Sequence, residues 1–207
     1  MNTLSRTSNI VEKVGQAYEI HPLLKGRFSP RGFSGEPLRE EQIHQLFEAV
    51  RWAPSSYNEQ PWSFIIATPE QASFETILGL LNEGNRAWAA RAGLLGIAVA
   101  KKNFSRNGRL NRHAWHDVGQ ALAHLTFQAM DLGLLVHQMA GFDPQATQQV
   151  FDIAQGHEAV TAFAVGHLEK PDSGTGQEAG SLRRSQHRRR QEQFVFRGRW
   201  ADPTGGG

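Results

Sequence analysis

An α+β domain built on one central sheet is the architecture that this chain of 207 residues encodes. Four short apolar runs read as strands. Amphipathic stripes at helical spacing lie between them, in places two helices between neighbouring strands, and no segment repeats another. A chain of this length buries enough surface to fold without disulfides or a metal.

The elements follow in order. Ile10, Val11, Val14 and Tyr18 are helically spaced and stop at His21-Pro22, which predicts a first helix within residues 1–20 that ends near Glu19. RFSPRGFSG, from Arg27 to Gly35, is broken by Pro30 and Gly32 and reads as loop. Ile43, Leu46, Phe47 and Val50 form one stripe, with Glu40 and Glu41 in the first turn and Pro54 beyond the end. The polar loop PSSYNEQP leads into the strand Trp62–Ala67. Phe74, Ile77, Leu78 and Leu81 mark a helix that runs out at Gly84. Leu94–Ala100 is continuously apolar, as a strand covered on both faces must be. The longest helix carries Val118, Ala121, Leu122, Leu125, Ala129 and Leu132, with Gly133 at its end. Leu134–Met139 is a strand, Asp143-Pro144 caps and opens a helix through Phe151, and Ala159–His167 is the last strand.

Residues 1–170 are thus one domain. Pro171–Ser181 is a Gly, Ser and acid-rich linker, and 171–207 form an arm whose QFVFRGRW segment is apolar enough to dock elsewhere. Between Arg183 and Arg199 lie seven arginines and one carboxylate, against a net charge of only +2 for the whole chain. Such a cluster points to an anionic partner.

Composition excludes several chemistries. There is no cysteine, hence no disulfide framework, thiolate metal site or cysteine nucleophile. His113 and His116 form H-x-x-H, but no third ligand stands at a recognisable spacing, so no metal is expected. No apolar run approaches the ~20 residues of a spanning helix, and the first twenty residues do not read as a secretory signal. A cytoplasmic protein without membrane attachment is the expectation.

Three loops carry chemistry. Arg27 and Arg31 flank Ser29, and guanidinium forks with a hydroxyl suit phosphate oxygens; a solvated basic loop is the plain alternative. PSSYNEQPW offers two hydroxyls, an Asn and a Gln, suited to the edge of a planar heterocycle, or else a capped helix-to-strand connection with Asn58 in the turn. HQMAGFD places Ala140-Gly141 where a bare backbone can approach a ligand, or simply turns before the Asp143 cap.

In this order RFSPRGF, AVRWAPSSYNEQPWSFIIA, NRAWAARAGLLGIAVA and HDVGQALAHLTFQAMDLGLLVHQMAGFD resemble the FMN-dependent nitroreductase family over about Arg27 to His167. The resemblance implies a homodimer with FMN in the groove between subunits, a mostly antiparallel sheet flanked by helices, and a C-terminal arm exchanged across the dimer. It implies that Arg27, Phe28, Ser29 and Arg31 form the first flavin loop, with Arg27 and Ser29 at the phosphate and Arg31 nearer the pyrimidine edge. Pro54, Ser55, Ser56 and Asn58 match the loop that reaches flavin from the other subunit. Asn85 matches an Asn lining the ring, and Gln138, Met139, Ala140 and Gly141 the segment along its face. Arg188 matches the tail residue that closes on the phosphate. No catalytic side chain is implied, because the flavin carries the chemistry.

The chain departs from many relatives at Ala140, where an acid is common, at Gln186, where a base is common, and near Ala92, where some members carry a Lys. These positions bear on substrate preference and on flavin contacts.

The implied activity is reduction of a nitro-aromatic, quinone or similar small acceptor by NADH or NADPH, with ping-pong exchange over one flavin face. A flavin protein with another reaction, such as dehalogenation or flavin fragmentation, is the second reading. The third is nucleic-acid binding, since Phe194, Phe196 and Trp200 interleave with the tail arginines; an arm docking on the dimer outweighs it.

Overall fold

The computed structural model describes residues 18–169 and 187–200. The helix expected over the first twenty residues and the Pro171–Ser181 linker therefore fall almost wholly outside the described residues. Among the described residues six α-helices and four strands follow in order: α1 Pro22–Gly26, α2 Glu40–Arg51, β1 Trp62–Ala67, α3 Ala72–Leu80, α4 Glu83–Ala89, β2 Leu94–Lys101, α5 Ala114–Asp131, β3 Leu135–Met139, α6 Pro144–Val150 and β4 His157–Gly166. All three strand pairings are antiparallel, in the order β1-β2-β4-β3.

Helices cover both faces of this sheet. On one face α2 and α5 bury Leu46, Val50, Val118, Leu122 and Leu125 against Leu94, Ala98, Phe163 and Val165. On the other, α3 and α4 set Phe74, Ile77, Leu78 and Ala89 on Leu95, Ile97, Val99 and Met139. The alternation of β2 between the two clusters is what a strand covered on both sides requires.

Close packing on the first face depends on one missing side chain. Gly96 of β2 pairs with Phe163 of β4. A Cβ on Gly96 would stand 2.3 Å from the Phe163 ring. That ring is fully buried and meets Phe64 edge-on at 6.0 Å.

Beyond the stop expected at His21-Pro22, Pro22 opens a further short helix, α1, and His21 Nδ1 accepts the Leu23 amide. Proline at a first helical position costs nothing, because its missing N–H would have no partner there. One expectation needs correction: the third helix does not run to Gly84. It ends at Leu80, and Gly84 lies in the first turn of α4, which Asn82 caps by accepting the Asn85 amide. A glycine near a helix start is tolerated where the cap supplies the missing order.

Candidate functional site

The loop after α1 is pinned against β3. His137 Nδ1 lies 2.7 Å from the Pro30 carbonyl oxygen, so the Nδ1–H tautomer donates to it. The other side of the imidazole stacks on Trp88 of α4 at 4.4 Å. Phe33 is fully buried and pairs in a bridge with Leu168, which fixes the loop's far end. RFSPRGF is thus anchored at its middle and at its far end.

Within it Arg27 Nη1 donates to Ser29 Oγ at 3.4 Å. Arg27 is half-buried, and its pKa is lowered first by that burial and then by the charge of Arg188. The charge of Arg188, far off in sequence, thus reaches the guanidinium that contacts the Ser29 hydroxyl. Arg31 is exposed, and its charge reaches His137.

Burial lowers the His137 pKa most, the Pro30 carbonyl raises it, and the charges of Arg31 and Arg27 lower it further. The net shift is below the ordinary 6.5. Between the depressed folded value and 6.5 the unfolded chain binds more protons, so stability rises with pH there. This share of stability is present above 6.5 and lost as pH falls through the folded value. His137→Phe keeps an aromatic on Trp88 but removes the titrating group. Urea melts at a series of pH values should show a shallower acid loss in the variant than in the parent.

Gln138 is exposed, whereas the Met139 side chain is buried in the core, so Met139 can offer only backbone outward. Ala140 is exposed. Gly141 lies against α4: its carbonyl accepts from the Asn82 amide at 3.0 Å and from Asn85 Nδ2 at 3.0 Å. A Cβ on Gly141 would stand 2.3 Å from Asn82 Nδ2. The close approach that this glycine permits is to these two asparagines. Asp143 then caps α6 through the amides of Gln145 and Ala146. Near Ala92, where a Lys stands in some relatives, Arg91 is engaged elsewhere: it donates to the Phe33 and Ser34 carbonyls and pairs with Glu169.

The second loop is conformationally demanding. Tyr57, Asn58 and Gln60 all have φ near +50°, a region that costs non-glycine residues of order 1 kcal/mol or more. Gln60 organises it, donating its amide to Ser55 Oγ and its side chain to Asn58 Oδ1. The Ser56 amide donates to Asp117, a carboxylate only 1% exposed in the first turn of α5. Pro54 is exposed at its start.

One chain keeps the two loops apart. Strands β1 and β3 are the opposite edges of the sheet, three spacings or about 14 Å. Trp62 also lies five residues along the sheet from the level of His137, about 17 Å more. Arg27, Ser29, Arg31, Arg188 and the end of β3 gather at one edge; Pro54, Ser55, Ser56 and Asn58 stand at the other.

The tail residues 187–200 include a short turn at Gln191–Gln193. Arg189 lies over the Phe194 ring at 5.7 Å, and Phe196 meets Trp200 at 5.0 Å. The tail aromatics thus engage their own segment, with Trp200 still 81% exposed. His113 and His116 face each other at 6.3 Å, and among the described residues no three His, Asp or Glu groups converge as metal ligands do.

Sequence reasoning did not single out His137, Trp88 or Asp117. It noted the Gln of PSSYNEQPW as a group for a heterocycle edge, whereas Gln60 braces the loop itself.

Comparison with known proteins agrees with this layout. The nitroreductase family pattern matches residues 24–96, a span that contains both loops. An uncharacterised 15.4 kDa protein of Mycolicibacterium smegmatis is 38% identical over 133 residues, 63% of this chain and 86% of that protein. A Streptomyces coelicolor protein, provisionally named NADH dehydrogenase/NAD(P)H nitroreductase, is 23% identical over 67% of this chain and 78% of its own. Among solved structures, one described as an oxidoreductase containing FMN is 28% identical. It superposes with a TM-score of 0.82 over 90% of this chain and 96% of that one. A nitroreductase family protein of Clostridium difficile 630, 20% identical, has a TM-score of 0.66 over 86% of this chain and 97% of its own. With the fold, the order of the loops and the sequence match in agreement, this chain belongs to the nitroreductase family.

Proposed function

We propose that this chain is an FMN-dependent oxidoreductase that uses NADH or NADPH to reduce a nitro-aromatic, a quinone or a similar small acceptor, and that it works as a homodimer. The observation that carries the reading is the half-buried Arg27 guanidinium, hydrogen-bonded to Ser29 and within reach of the Arg188 charge. Two like charges near one another favour an anion between them, and guanidinium donors match a phosphate monoester. The donor set fits the phosphate of FMN. The solved structure that is 28% identical and described as containing FMN supports the same cofactor.

Bound FMN would supply the electron relay between the nucleotide and the acceptor. The chain's residues then hold and orient. Arg27, Ser29 and Arg188 take the phosphate, with Phe28 in the same loop. Arg31 offers a cation near the pyrimidine edge, where negative charge accumulates on reduction. Gln138, Met139, Ala140 and Gly141 lie along the ring, with Gly141 held by Asn85. Pro54, Ser55, Ser56 and Asn58 reach the ring from the second subunit, which answers their separation from Arg27 within one chain. Exposed Phe194, Val195 and Trp200 on the arm dock across that dimer. Were the bound ring to present a single face, nucleotide and acceptor would take turns over it.

An absorbance spectrum tests this directly. Purified protein should be yellow, and anaerobic NADPH or NADH should bleach the flavin band. Colourless protein that FMN cannot reconstitute overturns the reading. Bound FMN that neither nucleotide reduces would instead favour a flavin protein with a different reaction.

A further inference from the structure

Residues 101–113, KKNFSRNGRLNRH, contain five Lys or Arg and no carboxylate. The segment is a built hairpin. Asn103 bridges to Leu110, the Phe104 amide donates to the Arg109 carbonyl at 2.9 Å, and Gly108 turns the tip at φ +68°. Fully buried Asn111 roots it, donating its amide to the Lys102 carbonyl and accepting the His113 amide on Oδ1.

This hairpin is clamped to the second loop. Glu59 accepts from the Ser105 amide at 2.8 Å and the Ser105 hydroxyl at 2.5 Å, while Lys101 also meets Ser105. Tyr57, 74% exposed, meets Phe104 edge-on at 5.7 Å. The Arg106 guanidinium lies 4.0 Å from the Tyr57 ring centre. Lys101 and Lys102 are answered by Glu59 and Glu158. No carboxylate among the described residues lies within ion-pair distance of Arg106, Arg109 or Arg112, and all three are exposed.

Packing over the Tyr57 ring uses the face of a guanidinium and leaves its in-plane N–H donors for another partner. That arrangement is pre-set for a planar fork on a phosphate. The flavin phosphate has its own cations at the opposite sheet edge, so this hairpin addresses a different phosphate, beside the loop assigned to the flavin ring.

We propose that Arg106, with Arg109 of the same hairpin, binds the 2′-phosphate of NADPH and makes NADPH the preferred reductant over NADH. The proposal rests on the flavin reading for the place where the nucleotide sits, and goes beyond it in choosing between two reductants that differ only in that phosphate.

Two measurements on the FMN-loaded protein test it. Calorimetric titration should show adenosine 2′,5′-bisphosphate binding about tenfold or more tighter than adenosine 5′-monophosphate, as one or two charged hydrogen bonds require. In Arg106→Gln/Arg109→Gln that preference should collapse. The variant's kcat/KM with NADPH should fall by about the same tenfold factor while that with NADH holds, at unchanged flavin content by absorbance. Equal affinities of the parent for the two adenosine nucleotides overturn the proposal, as does an equal loss with NADH and NADPH in the variant. Tighter binding of a random oligonucleotide than of the bisphosphate would overturn it in favour of a nucleic-acid surface. Absence of flavin would sink the earlier reading, yet the nucleotide titration would still report on the hairpin.

Discussion

Arg27→Ala combined with Arg188→Ala should purify without bound flavin. Each guanidinium that reaches a phosphate contributes about 1.5–3 kcal/mol through charge-assisted hydrogen bonds. Loss of two weakens retention by about 3–6 kcal/mol, roughly a hundredfold to ten-thousandfold in Kd. A complex held at micromolar strength would then not survive dilution or gel filtration. Neither residue lies in the core, and removing two neighbouring cations relieves repulsion in the empty site. The melting temperature without FMN should accordingly hold or rise. Fluorescence titration of the variant with FMN checks the outcome; unchanged affinity removes both residues from the phosphate role.

The second large effect concerns the fold. Gly96→Ala should lower the melting temperature by about 2–12 °C, from a strain of about 1–3 kcal/mol in a chain of this size. The new Cβ would stand 2.3 Å from the Phe163 ring, which Phe64 and the helices above leave no room to move. Gly79→Ala is the matched control. It lies inside α3 with nothing within 4 Å of the added carbon, so it should be neutral or stabilise by about 0.5–1 kcal/mol. Thermal unfolding followed by circular dichroism separates the two; equal behaviour would mean that β4 shifts to accept the methyl.

The strands were legible because burial on both faces leaves an uninterrupted apolar run, as in Leu94–Ala100, and the observed β2 differs only by Lys101 at its end. The short helix opened by Asp143-Pro144 was legible too, but α1 and α4 were not. Pro22 and Gly84 are breakers in a local reading, yet each sits in the first turn of a helix, where the chain tolerates it. Among the site residues, Arg27, Ser29 and Arg31 stand out locally by charge and spacing. That Arg188 should neighbour Arg27 has no local signature, and only likeness to a family suggests it. His137 and Asp117 act through contacts 107 and 61 residues away, and no periodicity announces a histidine destined for a backbone carbonyl.

The distance between the two loops has a genetic consequence. If each crevice draws one loop from either chain, damage to the arginine pair and damage to the serine–asparagine turn are complementary lesions. Mixed pairs carrying one lesion on each chain would keep one whole crevice and spoil the other. Two inactive preparations, unfolded together and refolded, would then regain part of the activity that neither has alone.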